Sequence, residues 1–128
     1  MAELIKVFVY GTLMNNGWNH SYLNGQKFLG KAKLDNFEMY NVASFPGIVR
    51  KENEYVLGEI YEVDHGTLKK LDRLEGEGSM YKRSLEKVLI NDRVEDAYVY
   101  VWLGSVQGRD KVATINMPWQ FEKMRWAR

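Results

Sequence analysis

Val94-Glu95-Asp96-Ala97-Tyr98-Val99-Tyr100-Val101-Trp102-Leu103 is the stretch on which the fold turns. Side chains alternate along a strand, so Tyr98, Tyr100 and Trp102 share one face while Ala97, Val99, Val101 and Leu103 share the other. A strand apolar on both faces has to be covered on both. In a chain of 128 residues that means a barrel, or a sheet overlain by other elements. The same character recurs near the start, where Leu4, Ile5, Val7, Phe8, Val9 and Tyr10 form a nearly continuous apolar run stopped by Gly11. That run reads as a central strand.

Outward from these two stretches the pattern stays β-rich. Residues 81–90 lead into residues 94–103 through Asn91-Asp92, a hairpin signal. Residues 55–63 read as a strand with Tyr55, Leu57, Tyr61 and Val63 on one face, interrupted by Glu59. A helix follows: Asp64 suits its N-cap, Leu68, Leu71 and Leu74 recur every three residues, and Gly76 and Gly78 end it. Residues 28–34 and 37–42 are expected strands with Asp35-Asn36 as a tight turn between them. Ser44-Phe45-Pro46-Gly47 is a second turn, before a short strand at Ile48-Val49. A helical turn is expected around Ser21 to Leu23, and a packed helix from Pro118 carrying Trp119, Phe121 and Met124. The expected fold is α+β: a small mixed, largely antiparallel barrel-like sheet of six or seven strands around one main helix, in one domain over residues 1–128.

Composition narrows the function. Hydrophobic residues make up 45% and aromatics 13%, enough for a core and too much for general disorder. Eighteen Lys and Arg against 17 Asp and Glu give a net charge of +1 without a charge block, so no nucleic-acid partner is expected. Zero Cys excludes a disulfide framework, a thiol nucleophile and thiolate metal ligation. His20 and His65 are far apart in sequence, so no zinc site is expected. No apolar run approaches the roughly 20 residues of a membrane span, and the first residues lack signal-peptide features. The expectation is a soluble cytoplasmic protein without a membrane partner.

Two places suit chemistry. Tyr10-Gly11-Thr12-Leu13 leaves a buried strand through a glycine, and such a turn presents backbone N–H groups to an anion or a polarised carbonyl. Glu75 sits beside the leucine stripe at the helix C-terminus. The helix dipole and partial burial would both disfavour its ionised form, the direction wanted in a general acid/base. Glu59, inward on an apolar strand, needs a partner, and Arg83 is the natural candidate. His20 follows the glycine turn and is a possible ligand contact. Asp72, Glu77 and His65 read as surface groups.

The order Tyr10-Gly11-Thr12-Leu13, Asn19-His20, Pro46-Gly47, Gly58-Glu59-Ile60-Tyr61-Glu62-Val63, Leu71-Asp72-x-Leu74-Glu75-Gly76, Tyr81-x-Arg83 and Ala97-Tyr98-Val99-Tyr100 resembles the γ-glutamylcyclotransferase-like superfamily. Its small γ-glutamylamine cyclotransferases and plant avirulence-induced type proteins are the most similar in pattern. The resemblance implies a small β-barrel flanked by helices. Glu75 would be the essential glutamate and Tyr10, Gly11, Thr12 and Leu13 the substrate loop; beside these, Tyr81 is expected in the same cavity because the glycine turn folds the chain back past the helix end, and His20, Glu59 and Arg83 are supporting candidates from their own positions. It implies release of 5-oxoproline from a γ-glutamyl amine or amino acid with no cofactor and no metal. Leaving-group selectivity is expected from loops 15–22 and 105–115. The competing reading is a non-catalytic binding or regulatory module that uses the same pocket.

Overall fold

The computed structural model describes residues 4–15, 17 and 19–119. Six strands and one α-helix appear there in the order β1 (Ile5–Val9), β2 (Lys27–Asn41), β3 (Pro46–Val63), α1 (His65–Glu75), β4 (Tyr81–Ile90), β5 (Arg93–Trp102) and β6 (Asp110–Val112). Short 3₁₀ turns occupy His20–Leu23 and Thr114–Asn116. β1 is central, as its apolar run requires. It pairs antiparallel with β3 (Val7 opposite Tyr61) and parallel with β5 (Val7 opposite Tyr98), and Val7 and Phe8 are fully buried. β5 pairs along its whole length with β4, and β2 pairs with β3. A single residue pair between β2 and β4, Lys33 opposite Leu89, brings the circuit of strands back on itself. The sheet is therefore mixed and largely antiparallel, but its closure is one pair long. It is a strongly twisted sheet whose ends meet rather than the clean barrel expected.

Val7, Phe8, Leu34, Phe37, Met39, Ile48, Val56, Ile60, Leu71, Val88 and Val99 form the interior. The Asn91-Asp92 hairpin carries positive φ at both residues, 48° and 63°, as the tightest hairpin turn demands. Asp64 caps α1, its carboxylate accepting from Thr67 N at 2.7 Å, and Gly76 ends the helix at φ 61°.

The sequence-based reading needs four corrections. Asp35-Asn36 is not a hairpin turn. Asn36 is left-handed at φ 68°, but it faces Asn53, also left-handed at φ 67°, across one long hairpin, and the register jumps from Asp35–Tyr55 to Phe37–Arg50. The irregularity is a bulge that bends β2 and β3 without ending them. The real turn is 42–45, so Ile48-Val49 and residues 55–63 belong to one strand opened by Pro46. On that strand Val56, Gly58 and Ile60 take the deeper positions, while Tyr55, Leu57 and Glu59 are half-buried. Pro118 and Trp119 are not helical, and the rest of the expected C-terminal helix, with Phe121 and Met124, lies outside the described residues. Trp119 is instead buried, its indole N–H donating to Asn41 Oδ1 at 2.8 Å. Among the described residues no helix is long and apolar enough to cross a membrane.

Candidate active site

The parallel pair β1–β5 ends beside a cavity of about 200 Å³. Tyr10, Gly11, Thr12 and Leu13 leave β1 along one side of it, Leu74 and Glu75 enter from the last turn of α1, and Met80, Tyr81 and Tyr100 complete the wall with Phe45 and Pro46 of the β2–β3 turn. Glu75 and Tyr81 thus share one cavity, because Gly76 and Gly78, both at positive φ, return the chain from the helix end into β4. Gly11 is where the loop passes closest to the β2–β3 turn. A Cβ there would lie 2.7 Å and 2.9 Å from the ring carbons of Pro46.

The loop is tied back by its carbonyls and side chains. Thr12 O accepts from Asn19 N at 2.9 Å, Thr12 Oγ1 from the Asn19 amide at 2.9 Å, and Gly11 O from Met14 N at 3.0 Å. Among the described residues the N–H groups of Gly11, Thr12 and Leu13 have no protein partner. They are donors beside a cavity.

Among the described residues Glu75 is the only carboxylate that lines the cavity. Burial alone pushes it up from 4.5 to about 7. Desolvation is therefore the cause, and the helix-dipole contribution expected from its position is not needed. The three phenols facing it are neutral near physiological pH. Burial is the first cause that raises Tyr10, Tyr81 and Tyr100; the Glu75 charge comes next for Tyr81, after Tyr81 for Tyr10 and after Asp72 for Tyr100. Each hydroxyl is already committed: Tyr10 donates to Tyr100 O at 2.7 Å, Tyr81 to Pro46 O at 2.6 Å and Tyr100 to Asp72 Oδ1 at 2.7 Å.

A carboxyl whose folded pKa lies above its unfolded value stabilises the fold where it is protonated. The contribution is complete below pH 4.5 and is lost as pH rises through about 7. The difference in unfolding free energy between wild type and Glu75→Gln should therefore shift by on the order of 3 kcal/mol against the wild type between pH 4.5 and 8. Melting curves of both proteins across that range measure it, and a constant difference would contradict the buried-carboxyl assignment.

The supporting residues fall elsewhere. Arg83 does not meet Glu59. It lies over the Tyr98 ring at 4.8 Å, with Nη1 3.5 Å from Asp72 Oδ2, an ion-pair distance without hydrogen-bond geometry. Asp72 is accordingly no plain surface charge but the joint between Tyr100 and Arg83. Glu59 reaches the opposite way, accepting from Asn15 N at 2.9 Å and Tyr61 OH at 3.1 Å, and so holds the far end of the loop that begins at Gly11. It found its partner in a loop N–H because the strand places it opposite Val9, next to the loop's start. His20 is outside the cavity lining; its Nδ1 is 2.9 Å from Leu13 O, which puts the proton on Nδ1 because a carbonyl can only accept. Sequence reasoning missed Tyr100, Phe45, Pro46 and Met80 as cavity residues. The turn signal at 44–47 was legible, but its packing against a glycine 35 residues upstream was not.

Solved structures share this fold. An AIG2-like protein from Mus musculus superposes with a TM-score of 0.73 at 27% identity, covering 79% of this chain and 78% of its own. The solution structure of ytfP from Escherichia coli does so at 0.67 with 30% identity, over 84% of this chain and 91% of its own. The twisted mixed sheet is thus the fold of the γ-glutamylcyclotransferase-like superfamily. A γ-glutamylcyclotransferase family protein, ytfP from Citrobacter rodentium, is 34% identical over 112 residues, 88% of this chain and 94% of that relative. The chain belongs to the γ-glutamyl cyclotransferase, AIG2-like family, whose model matches residues 7–121.

Proposed function

We propose that the protein cyclises a γ-glutamyl compound to 5-oxoproline and releases the amine that had been in γ-amide linkage. The observation carrying this reading is one buried carboxyl with its pKa moved to about 7, facing a loop of unpaired backbone N–H groups across one small cavity. The substrate brings its own nucleophile, the α-amine, and its own electrophile, the γ-carbonyl. Folding the chain back brings the two together, so much of the barrier is overcome by proximity. The C–N bond of the five-membered ring forms as the γ-amide C–N bond breaks. Two protons leave the attacking nitrogen and two arrive at the departing one. Glu75, accepting and donating in turn, serves both transfers, and a pKa near 7 suits a group that must do both. The N–H groups of Gly11, Thr12 and Leu13 hold the γ-glutamyl portion and stabilise the oxyanion formed at the γ-carbon. Tyr10 and Tyr81, neutral and tied to the backbone, supply fixed walls. No step calls on a metal or an organic cofactor.

The test is 5-oxoproline release by the purified protein from a panel of γ-glutamyl amines, γ-glutamyl amino acids and glutathione. Formation with any of them supports the reading. Saturable binding of the panel with no product would instead support the non-catalytic module.

A further inference from the structure

The wall of the cavity built by Phe45, Pro46 and Met80 is apolar and, among the described residues, carries no cation. Phe45 and Pro46 come from the β2–β3 turn, and Met80, 40% exposed, stands at the rim beside Tyr81. Behind them Phe45, Tyr81 and Trp102 form a packed aromatic cluster, with ring centroids 5.2 Å apart for Tyr81–Trp102 and 6.4 Å for Phe45–Trp102. Among the described residues no Lys, Arg or His lines the cavity. Arg83, two residues after Tyr81 on β4, is turned onto Asp72 and Tyr98. The phenol hydroxyls donate to Tyr100 O, Pro46 O and Asp72, so the remaining side-chain donors of the lining are uncharged: the Ser44 and Thr12 hydroxyls and the second hydrogen of the Asn19 amide, whose first is given to Thr12 Oγ1. Of the segment 105–115, expected from sequence to shape selectivity, none of the described side chains is in the lining.

Resting on the cyclotransferase reading, we infer that the amine released is an apolar one, alkyl or aralkyl, whose only polar group is the nitrogen in amide linkage. The γ-glutamyl portion takes the loop N–H groups and Glu75. A carboxylate on the leaving group, as in any γ-glutamyl amino acid, would then enter an apolar wall with no cation to meet it and a half-ionised glutamate nearby, an arrangement that burial penalises. An aralkyl group meets the faces and edges of Phe45 and Tyr81 instead, contacts that aromatic rings favour.

The test compares γ-glutamyl-phenethylamide with γ-glutamyl-phenylalanine, which share a skeleton and differ by one carboxylate. We expect kcat/KM for 5-oxoproline release to favour the amide by on the order of tenfold or more. Met80→Lys, at an exposed rim position, should narrow that ratio by supplying the missing cation. Equal or reversed kcat/KM in the wild type overturns the inference, and an unchanged ratio in Met80→Lys overturns the placement of the leaving group at this wall. Should neither compound yield 5-oxoproline while another member of the panel does, the inference is overturned; should no member do so, the cyclotransferase reading fails on its own account. Calorimetric affinities for the same pair then decide the pocket's preference: tighter amide binding upholds it, and equal affinities reject it.

Discussion

Formation of 5-oxoproline by Glu75→Gln should fall by about 10² to 10⁴-fold, the usual contribution of a general acid/base, with the fold retained. The amide keeps the carboxyl's shape but cannot take a proton from the substrate ammonium. Because burial disfavours the charge on the wild-type group, exchanging it for a neutral amide should not harm the fold, and above pH 7 should help it. Loss of turnover together with equal or higher melting temperature is a combination that a damaged core does not produce. The pH profile gives a second reading. Glu75 must be ionised to act as base, so kcat/KM for the wild type should climb with pH through about 7. Glu77→Gln is the control. Glu77 lies two residues on, is exposed, and accepts only from Arg83 N at 3.1 Å, which a glutamine oxygen can also do. It should retain turnover. A folded, fully active Glu75→Gln protein would eliminate the proposed mechanism.

Local chemistry made much of this architecture legible. The apolar runs of β1 and β5 announced strands covered on both faces, and both lie within the sheet. Asp64, the leucine spacing and Gly76 marked α1 at both ends. Asn91-Asp92 marked its hairpin. The same rules failed at Asn36, where the residue adopts the left-handed conformation expected of it but does so opposite a second asparagine in a paired strand. A positive φ identifies a departure from regular backbone, and whether that departure is a turn or a bulge depends on the partner strand. Glu59 and Arg83 failed for a related reason. Opposite charges on neighbouring segments look complementary in sequence, but Glu59 sits on β3 next to the β1 loop, while Arg83 sits on β4 opposite Tyr100. Register, which is non-local, sent the two side chains to different partners. The site split along the same line. Its loop and Glu75 were visible as motifs, whereas the Phe45–Pro46 wall exists only because β2 and β3 form one long bent hairpin whose turn reaches Gly11.

Gly58→Ala should be the most damaging single-methyl change in the protein's strands, costing about 3 kcal/mol of stability, the upper end for overpacking. The Cβ would stand 2.3 Å from Val9 O and 2.8 Å and 3.1 Å from the Phe8 ring carbons Cζ and Cε1. Neither neighbour can give way cheaply. Phe8 is fully buried, and Val9 O belongs to the backbone of the central strand, one residue before Tyr10. Relief requires β1 to move off β3 where it feeds the Gly11–Leu13 loop, so the donors of that loop move with it. The folded fraction should therefore also show a raised KM, a coupling that simple loss of stability would not give. For a chain of this length the melting temperature should drop by roughly 10 °C. Gly66→Ala provides the opposite sign from the same chemical change. Gly66 lies in the first turn of α1, and its added methyl would approach nothing nearer than Asp64 Oδ1 at 3.5 Å, an ordinary contact. There the gain in helix propensity should dominate and raise stability by up to about 1 kcal/mol. Thermal melts of the two variants, with kcat and KM measured on each, separate the roles: one glycine is needed because two strands and a ring meet over it, the other is replaceable. A Gly58→Ala protein as stable as wild type would show that β1 can shift without loss, and the rigid placement of the loop donors would have to be abandoned.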